Sequence, residues 1–144
     1  AGMGASTIIS ILEDDMEVAQ SAKLLVLQPM AGAASLRAWL CSHGWQLAAE
    51  ELVDDAPHFY EIIAATRGSA PAYSAAECAV GPLLLAQEHQ LLGKQLERQL
   101  ATCRQLLENM GRSERARASE KYKEIEALKA ELEVLQNGKR SDSK

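Results

Sequence analysis

Gln28-Pro29-Met30 ends the apolar run Leu24 to Leu27 with an amide and a residue that has no backbone N–H. Proline cannot donate to a strand ladder, so pairing stops there and the neighbouring carbonyls and the Gln28 amide are left to face a ligand. Open α/β sheets place ligands at the carboxyl ends of their strands. The plainer use of the same dipeptide is as a strand terminator. Gly2-Met3-Gly4 has a related logic, since glycines let a flat ligand approach the backbone closely, although any tight strand-to-helix turn also selects glycine. The third candidate is cationic. Lys94, Arg98, Arg104, Arg112, Arg115, Arg117, Lys121 and Lys123 stand against Glu97, Glu108, Glu114 and Glu120 between residues 94 and 123. Such a basic segment suits phosphate binding. Its plainer use is a solvated helical face laced with i to i+4 ion pairs.

Other chemistry-bearing residues point to less. His43, His58 and His89 are scattered and share no helical face, so a metal site is not expected. Cys41, Cys78 and Cys103 are odd in number and far apart, which disfavours a disulfide framework or zinc ribbon. Glu61 alternates with Phe59 and Ile63 on one strand face, as a buried polar partner for a missing half of the fold or as a base. The pairs Asp14-Asp15, Glu50-Glu51 and Asp54-Asp55 are expected on solvated faces or in turns, without the setting of an acid/base dyad.

The elements that position these residues follow from periodicity. Ser6 or Thr7 can cap a helix with apolar positions Ile8, Ile11, Leu12, Met16 and Ala19. Residues 23–28 read as a strand buried on both faces, the pattern of a parallel sheet covered by helices. A helix over 34–42 shares Leu36, Trp39 and Leu40 on one face and ends at Gly44. Residues 45–66 alternate as two strands about the turn Asp54-Asp55-Ala56-Pro57, a hairpin. The order is that of the second half of an α/β sheet whose last two strands are antiparallel, with the first half expected upstream.

Residues 71–84 read as a connector with one short helix. Beyond it, Leu96, Leu100, Cys103, Leu107 and Met110, then Ile125, Leu128, Leu132 and Leu135, step by three and four. These spacings predict an antiparallel helical, coiled-coil hairpin over 85–137, broken at Gly111-Arg112-Ser113 with Ser113 as N-cap, and a flexible tail over 138–144. Charge divides with the elements. Residues 1–84 hold 3 basic and 10 acidic side chains, whereas residues 85–144 hold 12 and 10, so an overall charge of -5 conceals a basic tail. The chain has no apolar run of membrane-spanning length and no basic-then-apolar signal segment, so the cytoplasm is expected. Oligomeric state is not legible.

The blocks "AGMGASTIISIL", "KLLVLQPM", "LRAWLCSHGW", "EELVDD", "FYEIIAA" and "VGPLL", followed by the helical hairpin, resemble the TrmK family in order and spacing over nearly the whole chain. These are bacterial tRNA methyltransferases that use S-adenosylmethionine to methylate N1 of adenine 22. The resemblance implies a partial class I, Rossmann-like methyltransferase domain over residues 1–70 and a C-terminal hairpin that engages tRNA. It implies that Gly2, Met3 and Gly4 border the cofactor and that Gln28 and Pro29 border the adenine pocket. Arg104, Arg112, Arg115, Arg117, Lys121 and Lys123 would be the tRNA contacts. The chemistry implied is displacement at the donor's methyl carbon by a base that is extruded or already unpaired. Ala5 and Met30 stand where the family usually has glycine and asparagine. The family's donor-binding loop and acidic ribose contact lie upstream of this segment, so the chain is expected to be inactive alone. The alternative from the residues themselves is a non-catalytic RNA-binding or coiled-coil interaction module.

Overall fold

The computed structural model describes residues 4–14 and 21–142, with side chains described to residue 138. Gly2, Met3, Met16 and Ala19 lie outside the described residues. The chain divides into two compact units, residues 1–89 and 90–144.

The first unit is a three-stranded sheet with helices packed on one face. Its elements are α1 (Ala5–Asp14), β1 (Leu24–Leu27), α2 (Ala33–Ser42), β2 (Trp45–Asp55), β3 (His58–Arg67), α3 (Ala75–Val80) and α4 (Pro82–Gln87). Ile8 and Leu12 of α1 share a face and are buried, as are Leu36 and Leu40 of α2. They meet Trp45, Leu47, Ile63 and Ala65 from the sheet in one apolar cluster. α1 starts at Ala5, so Ser6 and Thr7 lie in its first turn and do not cap it, and Ile11 points outward at 51% exposure. Gly44, just past the end of α2, takes the left-handed conformation expected of a helix stop.

The strand order is β1-β3-β2. β2 and β3 form the expected hairpin, with Asp55 opposite His58 at its tip. β1 departs from expectation, because its partner among the described strands is β3 and the pairing is antiparallel, Leu24 opposite Thr66 and Leu27 opposite Ile63. It is not buried on both faces either. Leu25 and Leu27 pack on the core, while Leu24 and Val26 are 53% and 64% exposed.

A register shift between Leu47 and Ala49 breaks the alternation of β2. Trp45 and Leu47 face the core ahead of it, and Glu50 and Leu52 face the core after it. An extra residue in one strand of a pair turns every later side chain to the opposite face. Glu50 is thereby carried inward, against the expectation of a solvated Glu50-Glu51 pair.

The segment expected as a connector with one helix contains two. Ser74 caps α3 reciprocally with Glu77: the Ser74 hydroxyl accepts from the Glu77 N–H at 3.1 Å and the Glu77 carboxylate accepts from the Ser74 N–H at 2.9 Å. Pro82 opens α4, where its missing N–H costs no helical bond.

The second unit consists of α5 (Leu92–Met110), the single turn α6 (Glu114–Arg117) and α7 (Glu120–Asp142). α5 and α7 pack along each other. Leu96, Leu100 and Cys103 of α5 and Ile125 and Leu132 of α7 are buried, while Leu107, Met110, Leu128 and Leu135 are half-buried. Ser113 does cap a helix, accepting from the Ala116 N–H at 3.3 Å, but that helix is only α6. α7 starts afresh, with the Ser119 hydroxyl accepting from the Tyr122 N–H at 3.2 Å.

Candidate functional site

Two loops meet where α1 and α2 begin. The Ala5 N–H donates to the Ala31 carbonyl at 2.9 Å, which draws Gly4-Ala5 against Ala31-Gly32. A depression of about 290 Å³ lies between them, lined by Gly4, Ala5, Ser6 and Ile9 on one side and Ala31, Gly32 and Ser35 on the other. Gly32 is required here, since its φ is +74° and a Cβ would sit 3.1 Å from that of Ala5. No side chain caps α2, so its first N–H groups have no side-chain partner. The site therefore offers backbone donors, two helix N-termini with their partial positive charge, and the Ser6 and Ser35 hydroxyls. The lining carries no charged side chain.

Of the residues singled out in the sequence, Gly4 lines this depression. Gln28 stands exposed at the end of β1 and Pro29 is buried, both on the segment that leads into Ala31-Gly32. Met30 is half exposed. Replacing Gly32 by alanine is expected to cost about 1–2 kcal/mol for the left-handed backbone alone, with a further cost from the Ala5 contact. Urea unfolding followed by tryptophan fluorescence measures it, and an unchanged midpoint would mean that the loop pair relaxes freely.

Sequence reasoning missed Arg37 and the inward turn of Glu50. Arg37, one turn into α2, is wholly buried. Its Nε donates to Glu50 Oε2 at 2.5 Å, its Nη2 to Glu61 Oε1 at 3.0 Å and its Nη1 to the Cys78 carbonyl at 2.8 Å. The second Glu50 oxygen accepts from the Leu83 N–H at 2.9 Å. One guanidinium thus ties α2, β2, β3 and α3 together, with each of its three nitrogens and both Glu50 oxygens engaged. Glu61 has its partner inside this chain, where a partner from a missing half was expected. Gly81 crosses directly over the pair: its φ is +115°, and a Cβ there would lie 2.9 Å from Glu50 Oε2. The one available signal was Arg37 itself, a cation at a core-facing helical position beside Leu36 and Leu40.

Glu51, on the opposite face, is exposed. The Leu52 N–H donates to it at 2.9 Å and His89 Nε2 lies against the same oxygen; together they hold its carboxyl below the usual range.

On the second unit, Arg104, Arg112, Arg115, Arg117, Lys121 and Lys123 are all exposed. They occupy α5, the turn after it, α6 and the first turn of α7. Arg112 approaches Glu108 at 3.8 Å and Lys123 approaches Glu120 at 3.6 Å, both loose and solvated. Arg104, Arg115, Arg117 and Lys121 form no ion pair with any described residue.

Comparison with known proteins adds a family. Residues 1–137 match the family model TrmK, tRNA (adenine(22)-N(1))-methyltransferase. The tRNA (adenine(22)-N(1))-methyltransferase of Bacillus subtilis (strain 168) is 26% identical over 140 residues, covering 94% of this chain and 58% of that protein. The crystal structure of Streptococcus pneumoniae Sp1610 in complex with S-adenosyl-L-methionine is similar with a TM-score of 0.74 and 25% identity. It covers 94% of this chain and 57% of that one. A Streptococcus agalactiae protein of the NADB-Rossmann superfamily is similar with a TM-score of 0.76 and 25% identity, over 94% of this chain and 57% of that one. The chain thus spans a little over half the length of these relatives.

Proposed function

The chain belongs to the TrmK family, and from that premise we propose that it is the part of a tRNA adenine-N1 methyltransferase that supplies one wall of the target-base pocket and a tRNA-facing helical hairpin. The observation that carries this reading is the meeting of Gly4-Ala5 with Ala31-Gly32 at the starts of α1 and α2, in a chain matched by that family model over residues 1–137.

Adenine presents hydrogen-bonding edges and no charge, and the lining of the depression carries no charged side chain. N1 lies on the edge used in base pairing, so the base has to be unpaired before the wall can meet it. Gln28, at the end of β1, and the backbone around Met3 and Gly4 are the groups proposed to hold it. S-adenosylmethionine is the proposed methyl donor of the whole enzyme. The described lining does not fit that donor by itself: it holds no carboxylate to bind a ribose diol and no cation for the donor's carboxylate. These residues account for the border of the pocket and for no step of methyl transfer.

The second unit is proposed to be the coiled-coil hairpin that grips tRNA through Arg104, Arg112, Arg115, Arg117, Lys121 and Lys123. Their exposure, and the absence of firm ion pairs among them, suits phosphate contacts. The cytoplasm, where tRNA is modified, is the proposed location. Among the described residues no helix is long and apolar enough to cross a membrane.

Titrating the 144-residue chain with S-adenosylmethionine in a calorimeter tests the division of labour. No stoichiometric binding is expected. Stoichiometric binding would mean that residues of this chain build a donor site unaided, and the reading of the Gly4–Gly32 region as a pocket border would fall. A second reading, a non-catalytic RNA-binding module, is favoured by the exposed cations alone. It predicts the same silence toward the donor, but no change in methylation when Gln28→Ala is placed in the whole enzyme.

A further inference from the structure

A second cavity, of about 320 Å³, lies in the first unit and shares no lining residue with the depression at Gly32. Cys41 of α2 and Cys78 of α3 both line it, with Tyr73 and the small side chains of Ala38, Ala70 and Ala72. Their place on one cavity has a structural cause. Arg37 stands one helical turn before Cys41, on the same face of α2, and donates to the Cys78 carbonyl at 2.8 Å, so the buried ion network pins the Cys78 backbone beside that face. Cys41 is half-buried, Cys78 is buried, and neither is in a disulfide. Nothing in the proposed adenine pocket or tRNA grip uses either thiol.

We propose that Cys41 and Cys78 form a redox-convertible thiol pair that closes to an intramolecular disulfide when a peroxide enters the cavity they share. Cys41, the more accessible thiol, reacts first. Its thiolate attacks one peroxide oxygen and the O–O bond breaks; hydroxide leaves, takes up a proton as water, and a sulfenic acid remains. The Cys78 thiolate then attacks that sulfur, the S–O bond breaks, and a second water leaves as the S–S bond forms. Two electrons pass from the thiol pair to the peroxide, and α2 becomes covalently tied to α3. Cys103, the one cysteine of residues 90–144, has no second cysteine on its own unit.

The surroundings set the rate. Burial pushes both thiols above their usual range. Cys41 is raised further by Cys78 and Glu50, and Cys78 by Glu77 and Glu50, with Arg37 opposing the shift at Cys78. The phenol of Tyr73 is also raised by burial, so it adds no charge at neutral pH. Thiolate is therefore scarce near neutrality. Because the thiolate is the reactive form, oxidation should quicken about tenfold per pH unit below the thiol range.

The test is to treat the whole chain with hydrogen peroxide at pH 7.5 and 8.5, block remaining thiols, and map linked peptides by mass spectrometry. The expected result is a Cys41–Cys78 linked peptide with the loss of two hydrogens, forming about tenfold faster at the higher pH. It should be absent from Cys41→Ser and Cys41→Ala chains and retained by Cys103→Ser. Circular dichroism checks that each variant is folded, and two substitutions at the half-buried Cys41 guard against one failing to fold. The proposal is overturned by unchanged mass at pH 8.5, by Cys41 sulfinic acid without a linked peptide, or by linkage only between chains through Cys103.

Discussion

Replacing Arg37 by methionine should destabilise the first unit by about 3–5 kcal/mol, the usual cost of removing one partner of a buried ion pair and leaving the other charge unpaired. The size follows from what is left behind. Glu50 is buried beneath Gly81 and keeps only the Leu83 N–H, and Glu61 loses its 3.0 Å contact. Against a total stability of ~5–15 kcal/mol for an ordinary domain, this is a large fraction. Urea unfolding followed by tryptophan fluorescence reports it cleanly, because Trp39 and Trp45 are the chain's two tryptophans and both lie in the first unit. Adding Glu50→Gln to Arg37→Met should recover part of the loss, since removing the stranded charge cancels part of the penalty. If Arg37→Met leaves the midpoint unchanged, the network is not what holds α2 to the sheet.

Replacing Arg112, Arg115, Arg117 and Lys121 together by glutamine should abolish most of the salt-dependent tRNA affinity of the chain. Each lost phosphate contact reduces the slope of log affinity against log salt by about one, so four lower it by about four. Over the fourfold range from 200 to 50 mM salt, that removes roughly a 250-fold gain in binding. All four side chains are exposed and outside the α5–α7 seam, so helicity should not change. The measurement is filter or fluorescence binding of unmodified tRNA at several salt concentrations, beside circular dichroism. An unchanged slope would move the tRNA contacts elsewhere. Concentration-dependent mass without RNA affinity would make the seam an interface for another helix.

Much of this architecture was legible in the chain because local periodicity encodes it. Alternation over residues 45–66 predicts a hairpin, and the three-and-four spacing of Leu96, Leu100 and Cys103 predicts an apolar helical seam. The family resemblance was likewise legible, carried by short blocks in a fixed order. Gly4 could be singled out because a glycine turn ahead of a helix lets a ligand approach the backbone, although the turn alone also selects glycine.

Other features depend on which elements become neighbours, and no local rule supplies that. β1 read as a parallel, doubly covered strand from its composition, yet its described partner is the antiparallel β3 and two of its four side chains face outward. Glu50 read as solvated, one of the acidic pair Glu50-Glu51, and strict alternation from Trp45 and Leu47 would put it outside. The shift between Leu47 and Ala49 turns it inward, toward a cation from a different element. The sequence by itself determined the hairpin over residues 45–66, the two long helices of the second unit and the exposed basic segment between them, since these depend on residues a few positions apart. The tertiary structure decided the strand pairing and the Arg37–Glu50–Glu61 network, because a buried charge is tolerated only where a distant partner completes it.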